Sequence, residues 1–238
     1  MEHIQKQPHG IDTRRAMIRA FGAALSVAGV SAFQAPKPPA EPDPKLWNKV
    51  YSEEQWRVTT KPNRFLADVV ENRKPGRALD IGIGQGRNAL FLAQLGWDVT
   101  GVDIAEEGIA VARKRAGELG LKLTTIVQDF GAFDAGTDRW DLIVGMYMHG
   151  LLLAHSAKIA QAVKPGGLFV VEGFHRDIGR QALTGGRIGY EPNVLLQSFL
   201  PLLRIVRYEE VSGEPDWSSN GTAVPLVRML AMKEQAHG

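Results

Sequence analysis

The chain has 238 residues, enough for one well-buried domain with short extensions, and its 44% apolar and 23% charged content is ordinary for a globular protein. Its formal net charge of +2 gathers at the front, where Lys6, Arg14, Arg15 and Arg19 face only Glu2 and Asp12; the neutral remainder lacks the basic surplus of a nucleic-acid binder, and no such partner is expected. The absence of cysteine excludes disulfides, cysteine-ligated zinc, cysteine-held iron–sulfur clusters and thiolate nucleophiles, and the sequence suggests no metal site.

Thr13-Arg14-Arg15-Ala16-Met17-Ile18-Arg19 resembles a twin-arginine export motif. A weakly apolar run follows from Ala20 to Phe33, too short to span a bilayer as a mature anchor. Val30-Ser31-Ala32 supplies small residues for cleavage after Ala32, and Pro36, Pro38, Pro39, Pro42 and Pro44 make residues 33–45 a stiff linker. The expected organisation is a signal segment over 1–32, that linker, and a folded domain over 46–238. Export to the periplasm is the expected location, with a cytoplasmic location as the alternative. Left uncleaved, the apolar run would instead tether the domain to a membrane.

From Leu46, the residues Trp47, Val50, Tyr51 and Trp56 suggest a helical lead-in able to cover a pocket. A helix is expected over 63–72, where Phe65, Leu66, Val69 and Val70 recur at helical spacing. Strands are expected over 77–83, 97–102, 123–128, 141–146 and 167–173, with helices over 87–95, 106–119 and 151–163. This rhythm signals an α/β, Rossmann-like, doubly wound and mostly parallel sheet. Two further strands, 203–211 and 224–232, have no helix between them, so the seven-stranded sheet should finish in an antiparallel hairpin. The stretch through Arg176, Arg180, Gly185, Gly186, Arg187 and Tyr190 reads as a long loop, able to act as a lid or to draw in an anionic acceptor.

The chemistry is written most clearly at Asp80-Ile81-Gly82-Ile83-Gly84-Gln85-Gly86-Arg87-Asn88, between the first strand and its helix. Glycine at 82, 84 and 86 lets the backbone turn sharply and a ligand approach closely. A pyrophosphate-binding fingerprint needs glycine or alanine where Arg87 stands, which argues against a dinucleotide. Asp103 ends the second strand, where a carboxylate can accept both hydroxyls of a ribose. Its plainer reading is a helix N-cap, with Glu106 completing a capping box. Asp129 ends the third strand, placed to accept from an adenine amino group with Phe130 beside the ring; a turn aspartate is the plainer reading. Asp80 is read as ordering the glycine turn or orienting an amino-acid moiety.

Ala78 to Asn88, Gly101-Val102-Asp103 and Lys164-Pro165-Gly166-Gly167 resemble the core motifs of class I methyltransferases dependent on S-adenosyl-L-methionine (SAM), with the likeness covering 77–172. The Gly86-Arg87-Asn88 ending and the tail residues Tyr208, Glu209, Glu210, Asp216 and Trp217 are loosely similar to the small-molecule branch near tellurite-resistance methyltransferases. The resemblance implies SAM as methyl donor and a small-molecule acceptor. It carries cofactor-binding roles to Gly82, Gly84, Asp103, Asp129 and Tyr147, and Asp80, Gly86, Asn88, Ile104 and Phe130, in or beside the same turns, complete the candidate cofactor-binding set.

Gly145-Met146-Tyr147-Met148-His149 replaces the Asn/Asp-Pro-Pro-Tyr motif of enzymes that methylate amide or adenine nitrogens. His149 and His175 are the candidate general bases, each with a plainer reading as a hydrogen-bonded loop residue. Two other function classes stay open on sequence: an exported scaffold that keeps the fold without catalysis, and a dinucleotide-dependent oxidoreductase.

Overall fold

The computed structural model describes residues 43–52, 60–178, 188–215 and 222–235. The export-like segment, most of the proline linker, Trp56, the lid residues Arg180, Gly185, Gly186 and Arg187, and the tail pair Asp216 and Trp217 lie outside the described residues. Helix α1, Pro44–Ser52, starts inside the stretch expected to be linker. Proline suits a first helical position because the amide hydrogen it lacks has no partner there anyway. Asp43 caps the turn by accepting from the Lys45 amide at 2.9 Å. Helix α2, Arg64–Val70, is capped by Asn63, whose side chain accepts from Leu66 N.

The core then alternates as expected: β1 Arg77–Ile81, α3 Arg87–Gln94, β2 Asp98–Asp103, α4 Glu106–Glu118, β3 Thr124–Val127 and β4 Trp140–Met146. Next come α5 His149–Ala154, α6 Ser156–Ala162, β5 Val163–Phe174, α7 Val194–Phe199, β6 Arg204–Gly213 and β7 Val224–Met232. The seven strands are ordered β3-β2-β1-β4-β5-β7-β6. β7 is antiparallel to both of its neighbours, and the other pairings are parallel. The order reverses between β1 and β4, and ligands of open α/β sheets bind outside the carboxyl ends of the strands at such a switch point.

Alternating strand residues feed two cores. Leu168 and Val170 face Phe65, Leu66, Ala89, Leu92 and Ile109, from α2, α3 and α4. Phe169 and Val171 face Leu152, Ile159, Leu195 and Phe199, from α5, α6 and α7. Both faces of the central strands are therefore covered, which is why they read as continuous apolar runs.

Two elements depart from the sequence expectation. The helix expected over 151–163 is broken at His155, whose φ of −117° and ψ of 24° leave the helical region, giving α5 and α6. Helix α7 was not expected; it follows Asn193, held in the left-handed region at φ 59°. Among the described residues no helix is long and apolar enough to cross a membrane.

Candidate functional site

The turn after β1 is held from β2. Gly82 N and Ile83 N both donate to Val102 O, at 2.8 and 3.3 Å. Asp103 completes the clasp: its Oδ2 accepts from Gly84 N at 2.8 Å and its Oδ1 from Ala105 N at 2.9 Å. The N-cap of α4 is Ala105, without a side-chain cap bond, so Asp103 is not the capping residue that its plainer reading required. The exposed amide of Glu107 is met instead by Asn48 Oδ1 of α1, at 3.2 Å. Burial pushes the Asp103 carboxyl above its usual range, against the pull of the Ala105, Gly84 and Ile104 amides.

Asp80 lies beneath the same turn, 3% exposed. Burial pushes its carboxyl up to about 7; the nearby Arg87 guanidinium opposes that shift, Asp103 reinforces it, and the Ala89 amide at the start of α3 opposes it. Gly82 and Gly84 adopt φ of 74° and 49°, a region that costs side chains with a Cβ about 1–2 kcal/mol. Each also meets a side chain from elsewhere. Met148 lies across Gly82, and a Cβ on Gly84 would come 2.7 Å from the Tyr51 hydroxyl. A Cβ on Gly108 of α4 would meet the other side of the Tyr51 ring at 2.9 Å. The two glycines therefore form a notch that seats Tyr51, whose phenol is driven well above its ordinary range by burial and by the Asp103 and Asp80 carboxylates.

This cradle fits SAM better than a pyrophosphate. Its glycine turn is overlain by the Tyr51 and Met148 side chains, and two desolvated carboxylates stand beside it. Ribose hydroxyls donate to carboxylates, and a sulfonium and an ammonium are cations; a pyrophosphate would be repelled. Asp129 Oδ1 accepts from Gly131 N at 2.7 Å in a turn after β3, and Oδ2 has no hydrogen-bond partner among the described residues. Phe130 does not stand open beside that carboxylate. It is 3% exposed, packed on Phe133 and edge-on to His155, with Lys158 over its ring. Asn88 is likewise turned inward, its Oδ1 accepting from Asn63 N at 2.8 Å. At Gly86 a Cβ would press on the Ala112 Cβ at 2.8 Å, so that glycine serves the packing of α3 on α4. A separate cavity of about 350 Å³ opens beside Arg87, Phe91, Arg115 and Leu119 on α3 and α4; of the cradle's neighbours it includes only Arg87.

At the carboxyl ends of β4 and β5 a ring cluster adjoins the floor. Tyr147 takes φ 62°, uncommon for a bulky residue. Its amide donates to Glu172 O at 2.7 Å and its hydroxyl makes a close hydrogen bond to Glu172 Oε1. Glu172 is 1% exposed and also accepts from Asn63 Nδ2 and Arg228 Nε, both at 2.7 Å. The Tyr147 and Phe174 rings meet at 5.1 Å, His149 stacks on Phe174 at 5.8 Å, and Tyr190 approaches His149 at 5.0 Å.

Neither histidine is set up as a base. His149 Nε2 accepts from Phe174 N at 2.9 Å, and burial drives its pKa down to about 4. His175 Nδ1 accepts from Asp177 N at 3.2 Å, while Nε2 faces the Glu210 carboxylate at 3.7 Å. In both rings a lone pair needed for proton abstraction is already engaged. Sequence reasoning overlooked Glu172, although a single acid within the apolar run Leu168 to Phe174 was a signal of a paired buried charge. It also passed over Met148 and Asn48, whose roles depend on which elements meet.

A methyltransferase domain family matches residues 78–167. The chain is 39% identical over 86 residues to the probable S-adenosyl-L-methionine-dependent methyltransferase TehB of Haemophilus influenzae, covering 36% of this chain and 30% of that protein. It is 37% identical over 109 residues to a ubiquinone biosynthesis O-methyltransferase of Methylobacterium, covering 44% of each. The match thus spans less than half the length of these curated relatives. The crystal structure of Haemophilus influenzae TehB shares the fold, with a TM-score of 0.58, 24% identity, and coverage of 71% of this chain and 61% of that one. With the glycine cradle, the acids beside it and a parallel sheet closed by β7 and β6, these likenesses support a class I S-adenosylmethionine-dependent methyltransferase reading, with the matched methyltransferase domain spanning residues 78–167.

Proposed function

We propose that the chain transfers a methyl group to a small-molecule acceptor by direct in-line displacement. The observation that carries this reading is the Asp103 clasp, a part-buried carboxylate bonded to the glycine turn at the switch point of the sheet. When bound, SAM supplies an already electrophilic methyl group. The protein's own work is then alignment and exclusion of water. Asp103 would hold the ribose hydroxyls and Asp129 the adenine amino group, on either side of the turn through Gly82 and Gly84. Asp80 orders the turn from below. Tyr51 and Met148, lying over those glycines, close the site from water. The engaged lone pairs of His149 and His175 favour an acceptor that needs no strong protein base.

The test is release of S-adenosylhomocysteine from SAM by the full chain across a panel of thiol, oxygen and amine acceptors, with Asp103→Ala as control. Turnover above control with a small acceptor supports the proposal. SAM binding without turnover on any acceptor would favour the scaffold alternative. Residues 1–32 are proposed as the export signal. Fractionation of cells making the Arg14→Lys, Arg15→Lys double variant tests this, with retention in the cytoplasm as the expected result and unchanged periplasmic recovery as the contrary one.

A further inference from the structure

We propose that His149 acts on the methyl acceptor as a hydrogen-bond donor through Nδ1–H, and that the acceptor is a planar aromatic compound presenting an oxygen, of phenol or catechol type. This inference rests on the methyltransferase reading above and narrows it.

The geometry begins with the tautomer. An imidazole nitrogen that accepts a hydrogen bond carries no proton, so acceptance from Phe174 N at Nε2 leaves the ring proton of neutral His149 on Nδ1. Depression of the pKa to about 4 keeps the ring in that form throughout the neutral range. Among the described residues Nδ1 has no hydrogen-bond partner, yet it is not among the sealed, partnerless side-chain atoms, which are Trp97 Nε1 and the Tyr190 hydroxyl. His149 is only partly buried, so this N–H is a donor without a partner among the described residues. The preceding residue, Met148, lies on Gly82, while the imidazole itself packs at Gly173 and Phe174, at the carboxyl end of β5.

The surroundings select the class of molecule. Tyr147, Phe174 and Tyr190 offer ring faces and edges to the same imidazole at 5.0 to 6.3 Å. Offset and edge-on packing of this kind favours another flat ring. The nearby charge is already matched: Glu172 is held by Arg228, Asn63 and Tyr147. An ammonium acceptor would find no free anion in this cluster and would meet an N–H pointing the wrong way. An oxygen would be received by Nδ1–H, and a donor there favours the ionised oxygen over the hydroxyl. The acceptor proton is then lost to water before the methyl group moves, and no histidine has to take it. The second orphaned polar atom, the buried Tyr190 hydroxyl, belongs to a ring of the same cluster.

The test uses the full chain with 4-nitrocatechol, whose visible absorption reports its ionisation. S-adenosylhomocysteine binding is measured first by calorimetry on each sample, and the probe is then titrated in mildly acidic buffer, where the free probe is protonated. Expected are saturable binding with a shift toward the ionised spectrum, loss of at least about tenfold in affinity in His149→Phe, and retention within a few-fold in His149→Gln, which keeps a donor and an acceptor. Ethanolamine should not compete. Should His149→Phe not fold, nitrogen-15 NMR of wild-type histidine supplies the answer: a protonated Nδ1 signal that moves on adding the probe. If S-adenosylhomocysteine itself fails to bind, the methyltransferase reading falls and this inference with it. If it binds but the probe does not, or binds His149→Phe equally well, or is displaced by ethanolamine, or leaves Nδ1 unmoved, the inference alone is overturned.

Discussion

Asp103 Oδ2 accepts from the Gly84 amide at 2.8 Å, so the last residue of β2 fixes the shape of the turn that leaves β1. The acid proposed to hold the ribose and the glycine turn are thus one unit, and a change at either reaches both.

Gly84→Ala should weaken both binding and stability. The new methyl group would sit 2.7 Å from the Tyr51 hydroxyl, on a backbone held at φ 49°. Loss of about 1–3 kcal/mol of stability and a weaker grip on S-adenosylhomocysteine are expected. Gly117→Ala is the matched control. It lies within α4 with nothing near its Cβ position, so a gain of about 0.4–1 kcal/mol is expected from reduced freedom of the unfolded chain. Urea titration of the two variants checks both signs.

The chain carries two opposing pH dependences. The Asp80 carboxyl rises from 3.8 to about 7 on folding, so the native state holds the extra proton, and stability falls as pH rises across that window, by up to about 4 kcal/mol. His149 moves the other way, from 6.5 to about 4. The unfolded chain then holds the extra proton, and stability falls as pH drops from 6.5 toward 4. The two slopes oppose each other between about 4 and 6.5. Asp80→Asn should expose a stability that rises with pH there, and His149→Gln one that falls. Denaturation of both variants at several pH values measures the slopes, and two parallel profiles would contradict the assignment.

Arg228→Ala should destabilise by about 3–5 kcal/mol, because Glu172 is 1% exposed and would keep a buried charge without its cation. Adding Glu172→Gln should recover part of the loss, since the two changes share one interaction. A double variant as unstable as the sum of the singles would show that the pair is not coupled.

The sheet was legible because its signals are local. Apolar bursts such as Leu142 to Met146 and Leu168 to Val171 need only be buried on both faces to read as parallel strands, and they are. Asp103 was legible because its position at the end of β2 is fixed by chain order alone. The sequence was less informative wherever a role depends on a partner far along the chain. Asn48 meets the Glu107 amide across 59 residues, and Tyr147 meets Glu172 across 25. His149 looked like a base because its residue type allows it; only the Phe174 amide, 25 residues away, fixes which nitrogen holds the proton. Phe130 looked like an adenine neighbour from its place after Asp129, but packing against Phe133 and His155 draws it into the core. Helix α7 was hidden by its brevity, six residues behind a left-handed Asn193 with no side-chain cap bond.

The most direct test of the central claim is calorimetric titration of the purified full chain with SAM, S-adenosylhomocysteine and NADH, repeated on Asp103→Ala. Binding of SAM and S-adenosylhomocysteine without NADH, weakened about tenfold or more by loss of the charge-assisted ribose contact, is the predicted result. A folded wild-type chain that binds neither SAM nor S-adenosylhomocysteine, or that binds both unchanged in Asp103→Ala, would contradict the account.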